Sequence, residues 1–470
     1  MSGLLESTIP PVLHWFRRDL RLHDNPALHA AHRRHEGHVL PVYIQSAWRG
    51  SHPWTGPARQ AALCASLAAL EKKLEAARTR LTIRRGGAVE ELRRLLKETG
   101  ARQLYFNRSP DPWGRELEER VEAMARQMGV EVHAFHEVTA LPPETVRTGS
   151  GAAFRVFTPF ARAWLKHEIP APLPAPGRFA PPPRLRSLPL PTLADWDLPA
   201  PPVLPQTGEP AALRRLEAFL SGPIYRYAAE RDIPSLEATS RLSIDLRWGT
   251  LSIRLIVQRC RETLAAARSA EARTSVQKFL DELIWREFYM ALLWRWPGVL
   301  EEEFQPDYRR LKWKSNPAAL ERWKAGATGF PIVDAGMRQL AATGWMHNRV
   351  RMIVAMFLTK DLHIDWRKGE AHFMRSLADG EAASNNGGWQ WSASTGADAA
   401  PYFRIQNPWS QSARYDPDGQ YIRAWVPELR RIPPALLHKP PSAALAPGYP
   451  LPMADHARER AAALEMYRYR

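Results

Sequence analysis

The stretch Val12-Leu13-His14-Trp15-Phe16-Arg17-Arg18-Asp19-Leu20-Arg21-Leu22-His23-Asp24-Asn25-Pro26 decides the fold class. It opens on a short apolar run, predicted as a strand. It closes on Asp24-Asn25-Pro26, a helix start in which a capping side chain precedes a proline whose fixed φ suits the first turn. The pairing then recurs along the chain. Val39 to Ile44, Leu81 to Ile83, Leu104 to Phe106 and Val130 to Phe135 read as further strands. Pro26 to His35, Pro57 to Ala77, Ala88 to Thr99 and Arg115 to Gln127 read as helices between them. Such alternation predicts a doubly wound parallel sheet. No G-x-G-x-x-G follows the first strand, so an ordinary dinucleotide site in this part is unsupported.

Beyond this part the pattern changes. Pro170 to Pro210 is proline-rich, with Pro181-Pro182-Pro183 and Pro199-Ala200-Pro201-Pro202, which suits an extended, semi-rigid linker. From Ala211 strand signals vanish and helical periodicity dominates, as in Ser275 to Trp294 and Ile332 to Leu340. The expected organisation is an α/β domain over residues 1–140, a linker over 141–210 and an all-helical domain over 211–470.

The 470 residues are 45% hydrophobic, enough to bury a large core. No apolar run is long enough to span a membrane. Met1 to Pro11 show neither a basic nor an apolar leader region, and Cys64 and Cys260 form neither a disulfide framework nor a zinc site. A cytosolic monomer without a metal is expected. A net charge of +16 points to a polyanion, most simply nucleic acid, although an arginine-rich proteome gives the same number.

Eleven of the 18 tryptophans lie between Trp285 and Trp425. The densest run is Asn385-Asn386-Gly387-Gly388-Trp389-Gln390-Trp391, read either as a tight loop entering a Trp-rich core or as backbone approaching a planar ligand. Thr239-Ser240-Arg241-Leu242-Ser243 precedes a helix and reads as an anion cradle or as simple capping. Glu282, Trp285, Arg286 and Tyr289 share one helical face, which makes poor core and a plausible polar cavity wall with an aromatic side. His347-Asn348-Arg349-Val350-Arg351-Met352 starts another helix. Its Arg351 is expected to pair with Asp379-Gly380-Glu381, as a ligand clamp or a plain ion pair.

These motifs, with the opening run, Asp365-Trp366-Arg367 and Tyr402 to Pro408, stand in the order found in the DNA photolyase/cryptochrome family, and the chain resembles it over almost its whole length. The likeness is greatest to class I cyclobutane pyrimidine dimer photolyases. The resemblance implies an α/β antenna domain joined to a helical domain holding FAD. It places Tyr227, Thr239, Ser240, Arg241, Leu242, Ser243, Glu282, Arg286, Asn348, Arg351, Asp379, Gly380, Glu381 and Asn385 at the cofactor, with Asn385 facing flavin N5. Trp389, Trp366 and Trp313 match the family's electron-transfer tryptophans.

Glu282, Asn348, Met352, Trp285 and Trp391 match the residues that surround a cyclobutane dimer. By the same resemblance, (6-4) photolyases usually carry histidines in place of Asn348 and Met352. A non-repairing blue-light photoreceptor with the same pocket is the other alternative. Arg231, Arg286, Arg349 and Arg404, with Trp285, Asn348 and Trp391, are the implied contacts to UV-damaged DNA. Light-excited, fully reduced FAD would pass an electron to a flipped-out dimer and take it back.

Three parts of the chain depart from the pattern. Glu381 replaces an aspartate, and Phe279 replaces a tryptophan. Trp113-Gly114 stands where folate-type antenna pockets have Asn-Glu, while Asp111 to Arg115 looks closer to deazaflavin-type relatives. A second antenna chromophore of either type is therefore left open.

Overall fold

The computed structural model describes residues 10–203 and 206–468. The leader reading of Met1 to Pro11 falls almost wholly outside them. Five parallel strands form one sheet in the order β3-β2-β1-β4-β5. They are β1 (Val12–Phe16), β2 (Val39–Gln45), β3 (Thr82–Arg85), β4 (Gln103–Asn107) and β5 (Glu131–Phe135). Helices α1 (Pro26–Arg34), α2 (Pro57–Ala76), α3 (Ala88–Thr99) and α4 (Pro112–Gln127) connect them. Strand side chains alternate between two cores, as a period of two requires. Leu13, Trp15, Leu40, Val42, Leu104 and Phe106 pack on one side, and Val12, Phe16, Val39, Tyr43 and Tyr105 on the other. Asn25 caps α1 by accepting from the Leu28 N–H at 3.1 Å. Asp111 caps α4 in the same way, so that helix begins at Pro112 rather than at the expected Arg115.

The polar loop after β1 joins the two halves of the molecule. Arg21 is buried and donates to the carbonyls of His23 (2.9 Å), Asp24 (2.6 Å) and Gly249 (2.9 Å), and to the Glu137 carboxylate. Asp24 accepts from Ser252 and Arg254 of the helical half. Glu209 receives the N–H groups of Leu22 and His23. Gly249, at φ +62, has no room for a side chain, because a Cβ would lie 2.0 Å from the Arg18 carbonyl. Each buried charge is thus paired or saturated with hydrogen bonds, the condition under which burial is tolerated.

The segment expected as linker is not uniform. Its first part contains a helix, Phe157–Trp164, whose Phe160, Ala161 and Trp164 lie inside the helical core with Leu216, Leu280 and Phe288. The proline-rich part is extended as expected, but it is pinned to the α/β half. Phe179, Ala180 and Leu188 donate backbone hydrogen bonds to Ala77, Gly37 and Ile83. Proline removes donors locally, so the remaining N–H groups carry this docking. The helical half follows, with Ala270–Arg295 as its longest helix. Among the described residues no helix is long and apolar enough to cross a membrane.

Candidate active site

A cavity of about 520 Å³ opens in the helical half, within the range of cofactor and ligand pockets. The Ala270–Arg295 helix supplies Glu282, Trp285, Arg286 and Tyr289 to its wall, the face expected from their spacing. The same cavity is lined by Tyr227, Thr239 to Ser243, Asn348, Arg349, Arg351, Met352, Asp379 to Glu381, Asn385, Trp389 and Trp391. Of the residues the sequence placed at the cofactor, every one lies on this wall.

At one end the chain turns sharply through Arg241, which sits at φ +50, and Leu242 follows in right-handed helical geometry. A left-handed residue beside a right-handed one gathers successive backbone N–H groups into an anion-binding concavity. A non-glycine residue held there marks a constrained site. The Arg241 side chain itself turns away, bonding Glu237 at 2.7 Å and stacking over Trp345 at 4.7 Å. Its guanidinium is thus already engaged by Glu237 and Trp345.

Next to the cradle Arg351 lies 2.9 Å from Asp379, and the same Asp379 oxygen accepts from Ser243 at 2.6 Å. The second oxygen of Asp379 is buried without a protein partner. It is a spare acceptor facing a site that must supply a donor. The Asn385 amide nitrogen donates to the Glu370 carbonyl at 3.2 Å, which leaves its oxygen as the group available to the cavity. Glu381 caps the next helix through the N–H groups of Ala383 and Ser384. Its other oxygen lies 3.5 Å from Arg18 of the α/β half. The longer carboxylate thus spans both tasks.

The run Asn385 to Trp391 is helical, within Ala382–Ala393, and not the tight loop that its glycines and amides announced. The two glycines differ. A Cβ on Gly387 would fall 2.2 Å from the Tyr289 ring, so Gly387 serves helix–helix approach. Gly388 has open space before it and lines the cavity.

Trp285 lies with one face stacked on Phe157, with centroids 3.8 Å apart and planes 8° apart. Glu282 is held by Arg231, which is 12% exposed, while Lys278 stands 3.8 Å away. Arg349 bonds Asp232 at 2.6 Å. Burial lowers the pKa of Arg286, which donates to the Val138 carbonyl at 2.7 Å. That position fits a cofactor contact and gives no support to its expected role on DNA phosphates. Arg404 is exposed and not part of the cavity wall.

Trp389 lines the cavity and packs onto Gly369, where a Cβ would meet its ring at 2.1 Å. Trp366, one turn earlier on the Trp366–Ser376 helix, is fully buried and donates to Glu303 at 3.2 Å. Trp313 is half-buried and meets Tyr467 edge to face at 6.4 Å. The three tryptophans thus differ in setting, with Trp389 on the cavity wall, Trp366 in the core and Trp313 partly exposed.

Several residues escaped sequence reasoning. Arg59 reaches from α2 to the carbonyls of Met374 and Leu377 and fills the space a Cβ on Gly380 would take. Arg247 joins the wall, and burial beside Arg18 and Arg59 pushes its pKa down to about 9. Only the fold brings Arg247 to the cavity wall and sets Arg59 against Gly380, so far along the chain.

Residues 12–177 match the family model described as DNA photolyase, and residues 279–469 match the FAD binding domain of DNA photolyase. The deoxyribodipyrimidine photo-lyase of Halobacterium salinarum is 40% identical over 97% of this chain and 98% of its own length. A class III photolyase of Agrobacterium tumefaciens superposes with a TM-score of 0.90 at 38% identity, covering 100% of this chain and 99% of its own, so the fold does not single out class I. A cryptochrome of Synechocystis gives 0.89 at 29% identity over 98% of this chain and 100% of its own. With both family models matched and 40% identity sustained end to end, the chain belongs to the DNA photolyase/cryptochrome family.

Proposed function

We propose that this protein is a light-driven DNA repair enzyme that splits cyclobutane pyrimidine dimers. One observation carries the reading: a single cavity joins the set Glu282, Trp285, Asn348, Met352 and Trp391 to the set Arg351, Asp379 and Asn385. The first set suits a flipped-out pyrimidine dimer, with an aromatic wedge, a carboxylate and an amide. The second suits the flavin, and the unpaired Asp379 oxygen and the backbone cradle fit its polar edge and diphosphate.

Bound there, reduced FAD supplies on light absorption the electron that opens the cyclobutane ring and recovers it afterwards. The protein orients both partners. Arg351 pairs with Asp379 and so keeps that carboxylate from repelling an anionic ligand. Trp285 offers its free face to the lesion while Phe157 braces the other. Glu282 hydrogen-bonds the damaged base and steadies the charge it gains. Extrusion is easier for a damaged pair than for normal bases. Arg231 and Arg349 at the cavity, with exposed Arg404, take phosphates. Trp389, Trp366 and Trp313 conduct the electrons that reduce the cofactor.

A second, antenna chromophore belongs to the same proposal. Half-exposed Trp113, 5.8 Å from Trp54, offers a stacking surface near Asp111 and Arg18. Heat release tests the cofactor assignment, with FAD expected at about one per chain. Release of FMN alone, or failure of the folded chain to take up flavin, contradicts it.

A further inference from the structure

Glu370 is a buried acid that the repair reading does not use. It lies on the Trp366–Ser376 helix, directly behind the asparagine pair, and is 2% exposed. Its backbone carbonyl holds the Asn385 amide nitrogen at 3.2 Å, and its carboxyl accepts from the Asn386 amide at 3.0 Å. Asn386 also donates to the Val299 carbonyl at 2.9 Å. Resting on the reading that Asn385 faces the flavin, we propose that Glu370 is a positioning residue that matches charge at this site: its carboxyl is protonated while the bound flavin is reduced and anionic, and its ionisation opposes reduction.

The surroundings explain why this carboxyl is poised. No titratable side chain exists anywhere in the facing Ala382–Ala393 helix. On its own helix and the adjoining turn, Arg367 is engaged by Glu303 at 2.9 Å and by Asp365 at 3.2 Å. From the Phe357–Asp361 segment, Lys360 bonds Ser394, and Asp361 bonds His456. From α2, Arg59 is spent on the carbonyls of Trp54, Met374 and Leu377. Burial pushes the Glu370 pKa up to about 8, outweighing the Asn386 hydrogen bond and the Arg367 charge, which favour the ionised carboxyl. An anion beside Asn385 raises it further, and by reciprocity an ionised Glu370 disfavours that anion. Reduction of the flavin by an external electron donor then brings one further proton from solvent onto Glu370 wherever it was ionised beforehand.

The test is a spectroelectrochemical titration of the full chain loaded with FAD, comparing wild type with Glu370→Gln. Glutamine keeps the acceptor for Asn386 and cannot ionise. Between about pH 7 and about pH 9 the reduced-to-oxidised ratio at fixed potential is expected to fall several-fold more in wild type than in the variant. Coincident pH profiles with unchanged FAD content overturn the proposal and leave the flavin site intact. Asn385→Ala, run alongside, is expected to shift the bound flavin's spectrum and potential, and no shift overturns the underlying site reading instead. Should Glu370→Gln fail to fold, reduced-minus-oxidised infrared spectra of wild type decide. A protonated-carboxyl band that grows on reduction above neutral pH supports the proposal, and its absence across the window overturns it.

Discussion

The guanidinium of Arg231 donates to the carboxylate of Glu282 within the cavity wall. The resemblance assigns one to the DNA backbone and the other to the damaged base, yet here each is the other's partner. Lesion binding must therefore share or replace this contact. Glu282→Gln keeps the shape and one acceptor but removes the charge. Repair efficiency by reduced enzyme is expected to drop while lesion affinity changes little, because the carboxylate matters most once the extra electron arrives. Parallel measurement of affinity and repair yield checks this, and equal losses in both would place the role of Glu282 in binding.

Trp285→Ala acts on the other term. It removes both the free face offered to the lesion and the stack on Phe157. Affinity for a dimer-containing duplex should weaken by roughly 1–3 kcal/mol, the range for a base stacked on an aromatic ring. A binding titration with damaged and undamaged duplex separates this from general loss of DNA affinity.

Trp313→Phe should slow the photoreduction of oxidised FAD and spare repair by enzyme reduced beforehand. Trp313 is the half-buried member of the three tryptophans proposed to carry electrons, while Trp389 lies on the cavity wall, so on that proposal Trp313 serves cofactor activation. Flavin absorbance followed under constant blue light gives the rate. An unchanged rate rejects this route.

Gly387→Ala should cost about 1–3 kcal/mol, as overpacked cores do, because its Cβ would sit 2.2 Å from the Tyr289 ring. Gly388→Ala meets open space and should cost less. Denaturant unfolding of the two variants tests the contrast.

That contrast also shows where sequence reading stops. All five strands were legible, with bounds displaced by a few residues at most, because the central β1, β2 and β4 carry nearly continuous apolar runs and the edge strands β3 and β5 short ones between helical stretches. The helical face of Glu282, Trp285, Arg286 and Tyr289 and the pairing of Arg351 with Asp379 were legible from spacing and charge. Asn385 to Trp391 misled because amides and glycines usually mark turns. Here Glu381 caps a helix start, and Tyr289 demands a glycine inside the helix, which is a tertiary cause. Phe157–Trp164 was read into the linker because its proline and short length hid an apolar face. Arg59 and Glu370 carry no local signal, since their roles depend on residues that only the fold brings beside them.

The most direct test of the central claim is light-driven restoration of thymine by reduced enzyme, measured separately on cyclobutane dimers and on (6-4) products. Glu282, Asn348, Met352, Trp285 and Trp391 in one cavity predict repair of cyclobutane dimers, dependent on light, with (6-4) products left unrepaired. Repair of (6-4) products alone, or of neither lesion, would contradict the account, and the latter result would make the protein a photoreceptor.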